Sequence, residues 1–110
     1  MGDEVTKKMS TSSETCKVKV KLVGVLRGLA GKNEISVKSE TPVTIKQLIQ
    51  DLSESLGLAF KRAVIDPELN DPRPNTLILV NDVEISALQG LETRVGEDDT
   101  IVVIPVSHGG

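Results

Sequence analysis

The sequence predicts an α+β domain in which one long helix covers one face of a sheet. Residues 16–22 alternate strictly between apolar and polar side chains, which indicates a half-buried strand. Residues 45–56 repeat apolar side chains with the period of an amphipathic helix. Residues 100–104 are apolar in both phases, which predicts a central strand. Because one helix covers only one face, hairpins packed against it give an α+β arrangement.

We expect one domain with a tail at each end. Residues 1–16 are polar and lack apolar periodicity, which predicts a disordered tail. The folded domain is predicted to span residues 17–106, and residues 107–110 form a short flexible C-terminal tail. No apolar stretch is long enough to cross a bilayer, and the N-terminus lacks the features of a signal peptide.

The first strand is predicted to pair in a hairpin with residues 34–38, which alternate in the same way. Gly28 and residues 30–33 supply the turn chemistry between them. The apolar Val23 and Val25 predict that this end of the first strand is covered on both faces.

The long helix has start and stop signals. Thr44 and Gln47 have the spacing of a capping box with Thr44 as the N-cap. Val43 and Leu48 have the spacing of a hydrophobic staple around the same turn. Gly57 is placed to end the helix.

The second half of the chain is predicted to contain a loop followed by several short strands. Residues 58–65 are consistent with a strand or with a loop that packs Phe60 and Val64. Residues 66–75 contain three prolines and predict a turn and loop without regular structure. The rest is predicted as a strand at 76–80, a tight turn at 81–82, a return strand at 83–85, a helical turn at 88–91, a turn at 96–99 and a final strand that Pro105 ends.

Composition excludes several function classes. A single aromatic residue and a net charge of −3 disfavour direct nucleic-acid binding. One cysteine and one histidine exclude a disulfide framework and a metal site rich in either residue, and fit a reducing, cytoplasmic setting. No catalytic motif is visible, so we expect that the chain is not an enzyme, has no catalytic residues of its own and binds no metal.

The C-terminus is the unusual feature. Gly109 and Gly110 place a carboxylate at the end of a segment without side chains, which can enter a narrow channel. A carboxylate is a poor electrophile until it is activated, typically as an acyl-adenylate. The ending therefore suggests that the chain is a substrate for another enzyme's active site.

Four segments of the chain are familiar in their order: residues 26–31, 44–48, 78–85 and 101–110, the last of which ends in Gly109 and Gly110. In this order they resemble the ubiquitin-like β-grasp fold. Within that fold they are most similar to the sulfur-carrier branch, which includes the molybdopterin synthase small subunit, the thiamine sulfur carrier and the ubiquitin-related modifier with its archaeal relatives. The resemblance covers residues 17–110.

The resemblance implies a mixed sheet packed on one main helix and a chain that binds no cofactor itself. An E1-like adenylating enzyme, using ATP and Mg²⁺, would activate Gly110. A persulfide would then convert it to a thiocarboxylate, or a target-protein lysine would capture it in an isopeptide. These two outcomes stay open, as does an interaction module whose tail is never activated. A further implied partner is the molybdopterin synthase large subunit, and the free chain is expected to be a monomer without nucleic-acid or membrane contacts.

Two sets of residues would contact partners. The resemblance implies that Pro105, Val106, Ser107 and His108 thread into the partner's groove, where His108 could titrate near neutral pH. The docking surface is predicted on the sheet face away from the helix. It would comprise Ile78 and Val80 with Val102 and Ile104, or the alternate phase of the same strands.

Overall fold

Five strands form one mixed sheet in the computed structural model, which describes residues 16–39 and 42–106. The strands are β1 (Cys16–Leu22), β2 (Glu34–Ser39), β3 (Val43–Thr44), β4 (Thr76–Val80), β5 (Val83–Glu84), β6 (Arg94–Val95) and β7 (Thr100–Pro105). The helices are α1 (Val25–Ala30), α2 (Ile45–Leu56) and α3 (Leu58–Val64), with 3₁₀ turns at Ile85–Ala87 and Gly90–Glu92. The main sheet has the order β2-β1-β7-β4-β5, and β3 pairs separately with β6. This architecture confirms the predicted α+β fold.

The last strand, β7, lies at the centre of the sheet, as predicted. It pairs parallel with β1, which places Ile101 beside Val20, and antiparallel with β4, which places Val103 beside Ile78. All four side chains are buried. Successive side chains of a strand point to opposite faces, so this register sorts the apolar residues of β7 between the core and the outer face.

The core is aliphatic apart from Phe60. The sheet contributes alternate residues of β1, β4 and β7, and α2 contributes one face of its helix. The fully or nearly fully buried apolar side chains from the three helices are Leu26, Ile45, Leu48, Ile49, Leu52, Phe60 and Val64. The helices therefore cover one face of the sheet, and the other face is left to solvent or partners.

The cap of α2 agrees with the sequence prediction in part. Thr44 is the N-cap, and its Oγ1 accepts a hydrogen bond of 3.1 Å from the backbone N–H of Gln47. The Gln47 side chain does not complete the capping box: its Nε2 donates to Asp51 Oδ1 at 2.8 Å, one turn further along. Gly57 follows the last residue of α2 with φ of +103°, a conformation that favours glycine.

Two short helices were not predicted. Residues 25–30 form α1 where turn chemistry was expected, and Gly31 ends that helix in the left-handed conformation. Val23 and Val25 are 40% and 62% exposed, so the expected cover on both faces is wrong. Residues 58–64 form α3 rather than a strand or a loop, although Phe60 and Val64 are packed as expected.

The remaining connections agree with the sequence prediction in part. The helical turn predicted at 88–91 is instead two 3₁₀ turns, at Ile85–Ala87 and Gly90–Glu92. Asn81 and Asp82 have φ of +49° and +73°, as the tight turn between β4 and β5 requires. The return strand ends at Glu84, because Ile85 begins a 3₁₀ turn. The predicted tails lie outside the described residues, apart from Cys16 at the start of β1. No helix in the described part is both long and apolar enough to span a membrane.

Replacing Thr44 with alanine tests the cap. We expect Thr44→Ala to lower the free energy of unfolding by about 1 kcal/mol, because the N–H of Gln47 loses its acceptor. Thr44→Ser keeps a hydroxyl acceptor and should cost less than half as much. Urea denaturation measures both values, and equal losses in the two variants would contradict the capping role.

Candidate functional site

The end of β7 is the candidate site, because it leads to Gly109 and Gly110, the residues predicted to be activated. Pro105 is the last residue of the strand and pairs with Thr76 of β4. Val106 is the last residue that the structure describes, so Ser107, His108, Gly109 and Gly110 lie outside the described residues. The structure thus fixes where the tail begins and in which direction the strand leads into it.

Two contacts surround the point where the tail leaves the sheet. The N–H of Val106 donates a hydrogen bond of 2.9 Å to the carbonyl oxygen of Asn75, the residue before β4. On the other side, Gly24 lies against Pro105: a Cβ at Gly24 would come within 3.2 Å of Pro105 Cγ. Gly24 also has φ of +64°, so glycine satisfies both the close approach and the backbone conformation.

The outer face of the sheet carries an apolar surface beside this point. Leu77 lies opposite Ile104, and Leu79 lies opposite Val102. Leu77 is 40% exposed and the other three side chains are half-buried. We call these four residues the outer patch. Contiguous exposed apolar surface of this kind is typical of a protein-binding site.

The predicted outward placement holds for two residues of the docking set and is wrong for the other two. Val102 and Ile104 lie on the outer face, but Ile78 and Val80 are 1% and 7% exposed and belong to the core. Their cross-strand neighbours explain why: Ile78 pairs with the buried Val103, and Val80 with the buried Ile101. The alternate phase of β4, with Leu77 and Leu79, therefore faces outward.

Lysines border the outer patch on one side. Lys21 lies beside Val102, and Lys17 and Lys19 follow on the same exposed face of β1. Lys19 Nζ lies 3.6 Å from Glu34 Oε2, an exposed pair that contributes little to stability. On the opposite side of the patch, Glu84 pairs with Leu79. The outer face thus combines an apolar centre with a basic flank, although the chain as a whole is acidic.

An ion pair stabilises the loop that leads to Asn75. Arg73 donates to Asp71 from Nε at 3.0 Å and from its terminal nitrogen at 2.6 Å. These side-chain hydrogen bonds are the main cause that lowers the pKa of Asp71 below its ordinary value, and the same contact raises the pKa of Arg73. Both groups therefore stay charged at neutral pH.

Sequence reasoning missed Gly24 and Asn75, and it included Leu77 and Leu79 only through the alternate phase that it left open. The two leucines lay within the predicted strand, but residues 76–80 contain no clear alternation from which to choose a face. Gly24 and Asn75 act through backbone geometry that no motif reports. Residues 16–39 and 42–106 contain no group of three or more histidine, cysteine, aspartate or glutamate side chains placed to hold a metal ion.

Comparison with known proteins identifies the family. The model of the family described as "Urm1 (Ubiquitin related modifier)" matches residues 17–110, which is most of the chain and includes the terminal glycines. The chain belongs to the ubiquitin-related modifier family. This membership confirms the resemblance, the β-grasp fold and the class of ubiquitin-like sulfur carriers and modifiers, which are activated by E1-like enzymes and are not enzymes themselves.

Individual relatives agree with this family. The chain is 31% identical over 97 residues to the "Ubiquitin-related modifier 1 homolog" of Dictyostelium discoideum, covering 86% of this chain and 99% of that one. The small archaeal modifier protein 1 of Methanosarcina acetivorans is 27% identical with a TM-score of 0.72, covering 87% and 98%. Urm1 of Trypanosoma brucei shares the fold, with a TM-score of 0.71 at 23% identity over 93% and 100%.

The variant Arg73→Ala tests the Asp71–Arg73 ion pair in the loop before β4. We expect Arg73→Ala to raise the pKa of Asp71 toward its ordinary value of 3.8, because the dominant hydrogen bonds are lost. Since the folded-state pKa is lowered, the pair stabilises the fold above pH 3.8, and that contribution is lost as the pH falls through the lowered pKa. Carboxyl-detected NMR titration measures the midpoint. Arg62→Ala should leave it unchanged, and an unchanged midpoint in Arg73→Ala would contradict the assignment.

Proposed function

We propose that the carboxylate of Gly110 is the reacting group of this sulfur carrier or modifier: it carries the sulfur or becomes attached to the target. The observation that carries the proposal is the Gly109-Gly110 terminus within a family match that extends to the last residue. β7 lies at the centre of the sheet and leads toward this terminus, and its outward side chains belong to an apolar surface to which a partner can bind. Gly109 gives access to a narrow channel, and Ser107 and His108 follow it in the partner's groove. Pro105 and Val106 stay on the sheet as the origin of the tail, because Pro105 pairs with Thr76 and Val106 is bonded to Asn75.

The chemistry begins with activation by an E1-like adenylating enzyme. A carboxylate oxygen of Gly110 attacks the α-phosphorus of ATP, and pyrophosphate leaves as the acyl-adenylate forms. ATP and Mg²⁺ belong to the partner's active site, since the chain supplies only the carboxylate. The resulting mixed anhydride is the activated acyl group from which both products can form.

Sulfur transfer then takes two steps. The terminal sulfur of a protein persulfide attacks the acyl carbon, AMP leaves, and an acyl disulfide forms. A thiol of the sulfur-transfer partner attacks the partner's sulfur in that disulfide. This step forms a disulfide on the partner and releases the Gly110 thiocarboxylate. We assign this work to the cytoplasm, where thiols are kept reduced.

Conjugation uses the same activated acyl group. The neutral amine of a target lysine attacks the carbonyl carbon of Gly110, the leaving group departs, and an isopeptide forms. The choice between sulfur donation and conjugation lies with the partner, because both routes use the same carbon of this chain. The large subunit of a molybdopterin synthase is a further candidate partner for the thiocarboxylate.

The outer patch is the proposed docking surface for the activating enzyme. Leu77, Leu79, Val102 and Ile104 would rest on an apolar surface of the partner. Acidic groups of the partner would face Lys17, Lys19 and Lys21 on the neighbouring strand. Electrostatic complementarity of this kind fixes the orientation of a complex and raises its association rate.

Intact mass spectrometry tests the activation of Gly110. With a verified active E1-like enzyme, ATP, Mg²⁺ and a persulfide donor, we expect a mass gain equal to the replacement of one oxygen by sulfur, located on Gly110. Deletion of Gly109 and Gly110 should abolish the gain and leave thermal unfolding unchanged, since both residues lie beyond the last strand. An unmodified wild-type terminus under these conditions would contradict the proposal and favour an interaction module without activation.

A charged substitution tests the outer patch. We expect Leu77→Asp to raise the KM for activation about tenfold or more, because a leucine loses its apolar contact with the partner. Leu58→Asp is the matched control, since Leu58 is 61% exposed on the helical side of the domain. Thermal unfolding of both variants checks the fold. Equal KM values for the two variants would place the docking surface elsewhere.

A further inference from the structure

The loop at residues 66–75 is an ordered structure closed by its own hydrogen bonds. The N–H of Asp66 donates to the carbonyl oxygen of Asp71 at 2.9 Å, which closes the base of the loop. Asp66 Oδ1 accepts from the backbone N–H groups of Glu68 and Leu69, each at 2.9 Å. The first half of the loop is therefore held at Asp66, and the docking and activation described above make no use of it.

The second half of the loop fixes the position of Asn75. The carboxylate of Asp71 accepts from the backbone N–H of Arg73 at 2.8 Å as well as from its guanidinium. The carbonyl oxygen of Pro72 accepts from Thr76 twice, at 2.9 Å from the backbone N–H and at 2.7 Å from Oγ1. It also accepts from the N–H of Asn75 at 3.1 Å. Pro72 and Thr76 are both buried, so solvent does not compete for these bonds.

The ordered loop therefore places the carbonyl oxygen of Asn75 next to the segment that leaves β7. Asn75 O accepts the hydrogen bond of Val106, beyond the last ladder position of β7. With Gly24 packed on Pro105 from the other side, the chain is held through residue 106. Four residues follow. Fully extended, they reach at most about 14 Å.

We propose that the 66–75 loop is a positioning device for the C-terminal tail. Asn75 is the positioning residue, acting through its carbonyl oxygen on Val106, and the Asp71–Arg73 pair keeps that carbonyl in place. The inference rests on the proposed activation of Gly110. Holding residue 106 shortens the free segment and fixes its origin, which raises the fraction of docked complexes with the carboxylate in reach of the adenylation site.

Hydrogen exchange tests the contact without any partner. We expect the Val106 amide to be protected in the wild-type protein and in Arg62→Ala, a matched control on α3. In Arg73→Ala its exchange should be at least about tenfold faster. An unprotected Val106 amide in the wild type, or equal protection in all three proteins, would overturn the proposal.

Activation kinetics test the consequence. A semisynthetic protein in which the α-hydroxy acid analogue replaces Val106 lacks the N–H but keeps the side chain, and the semisynthetic amide is its control. In this ester variant and in Arg73→Ala, we expect kcat for adenylation to fall about fivefold with KM within about twofold, because the docking surface is intact. A raised KM at unchanged kcat would make the loop a docking element, and unchanged kinetics would deny it a positioning role.

These results separate the two proposals. If the wild-type protein is not adenylated by a verified active enzyme, the proposed function fails. The exchange data then still report whether the loop holds Val106. If the wild type is activated normally and the variants match it, the positioning proposal alone is wrong. Thermal unfolding checks each variant, and the ester variant keeps the test decisive if Arg73→Ala does not fold.

Discussion

The central position of β7 is the constraint on which the rest of the structure depends. This strand pairs with β1 on one side and β4 on the other. These two registers decide which side chains of the three strands point to each face of the sheet. Ile101 and Val103 face the helices and are fully buried, while Val102 and Ile104 face outward. β7 is also the last strand of the described residues, so a strand that is paired on both sides leads directly into residues 107–110. The proposed substrate segment therefore begins at a fixed position on the sheet.

The two faces of the sheet differ in role: one stabilises the fold, and the other is the proposed surface for recognition. The helical face buries nearly the whole aliphatic core and includes the only aromatic side chain, Phe60. The outer face carries an apolar patch beside three lysines, on the same sheet as the tail exit. A partner that binds this face lies next to the departing chain, so docking and delivery of the carboxylate are coupled by geometry alone. The chain needs no catalytic groups of its own for this role.

Local patterns predicted the elements well where one physical signal dominated. Thr44 and the alternation of β1 are unambiguous, because capping and two-fold periodicity each have a single local cause. The short α3 was missed because seven residues with several apolar neighbours fit more than one period. The outward residues of β4 could not be chosen for a related reason: Leu77, Ile78 and Leu79 are all apolar, so only pairing with β7 selects the outward residues. Gly24 and Asn75 were missed because their roles arise from contacts distant in sequence.

An isotope experiment tests most directly whether Gly110 is the activated group. Labelling the C-terminal carboxylate with ¹⁸O and supplying the E1-like enzyme, ATP and a persulfide donor should transfer one labelled oxygen to the phosphate of AMP. That transfer occurs only if a carboxylate oxygen of the chain attacks the α-phosphorus and the acyl carbon is then captured. Labelled AMP formed together with the thiocarboxylate is the expected result. AMP without the label, or no AMP from an enzyme that activates a known ubiquitin-like substrate, would contradict this account.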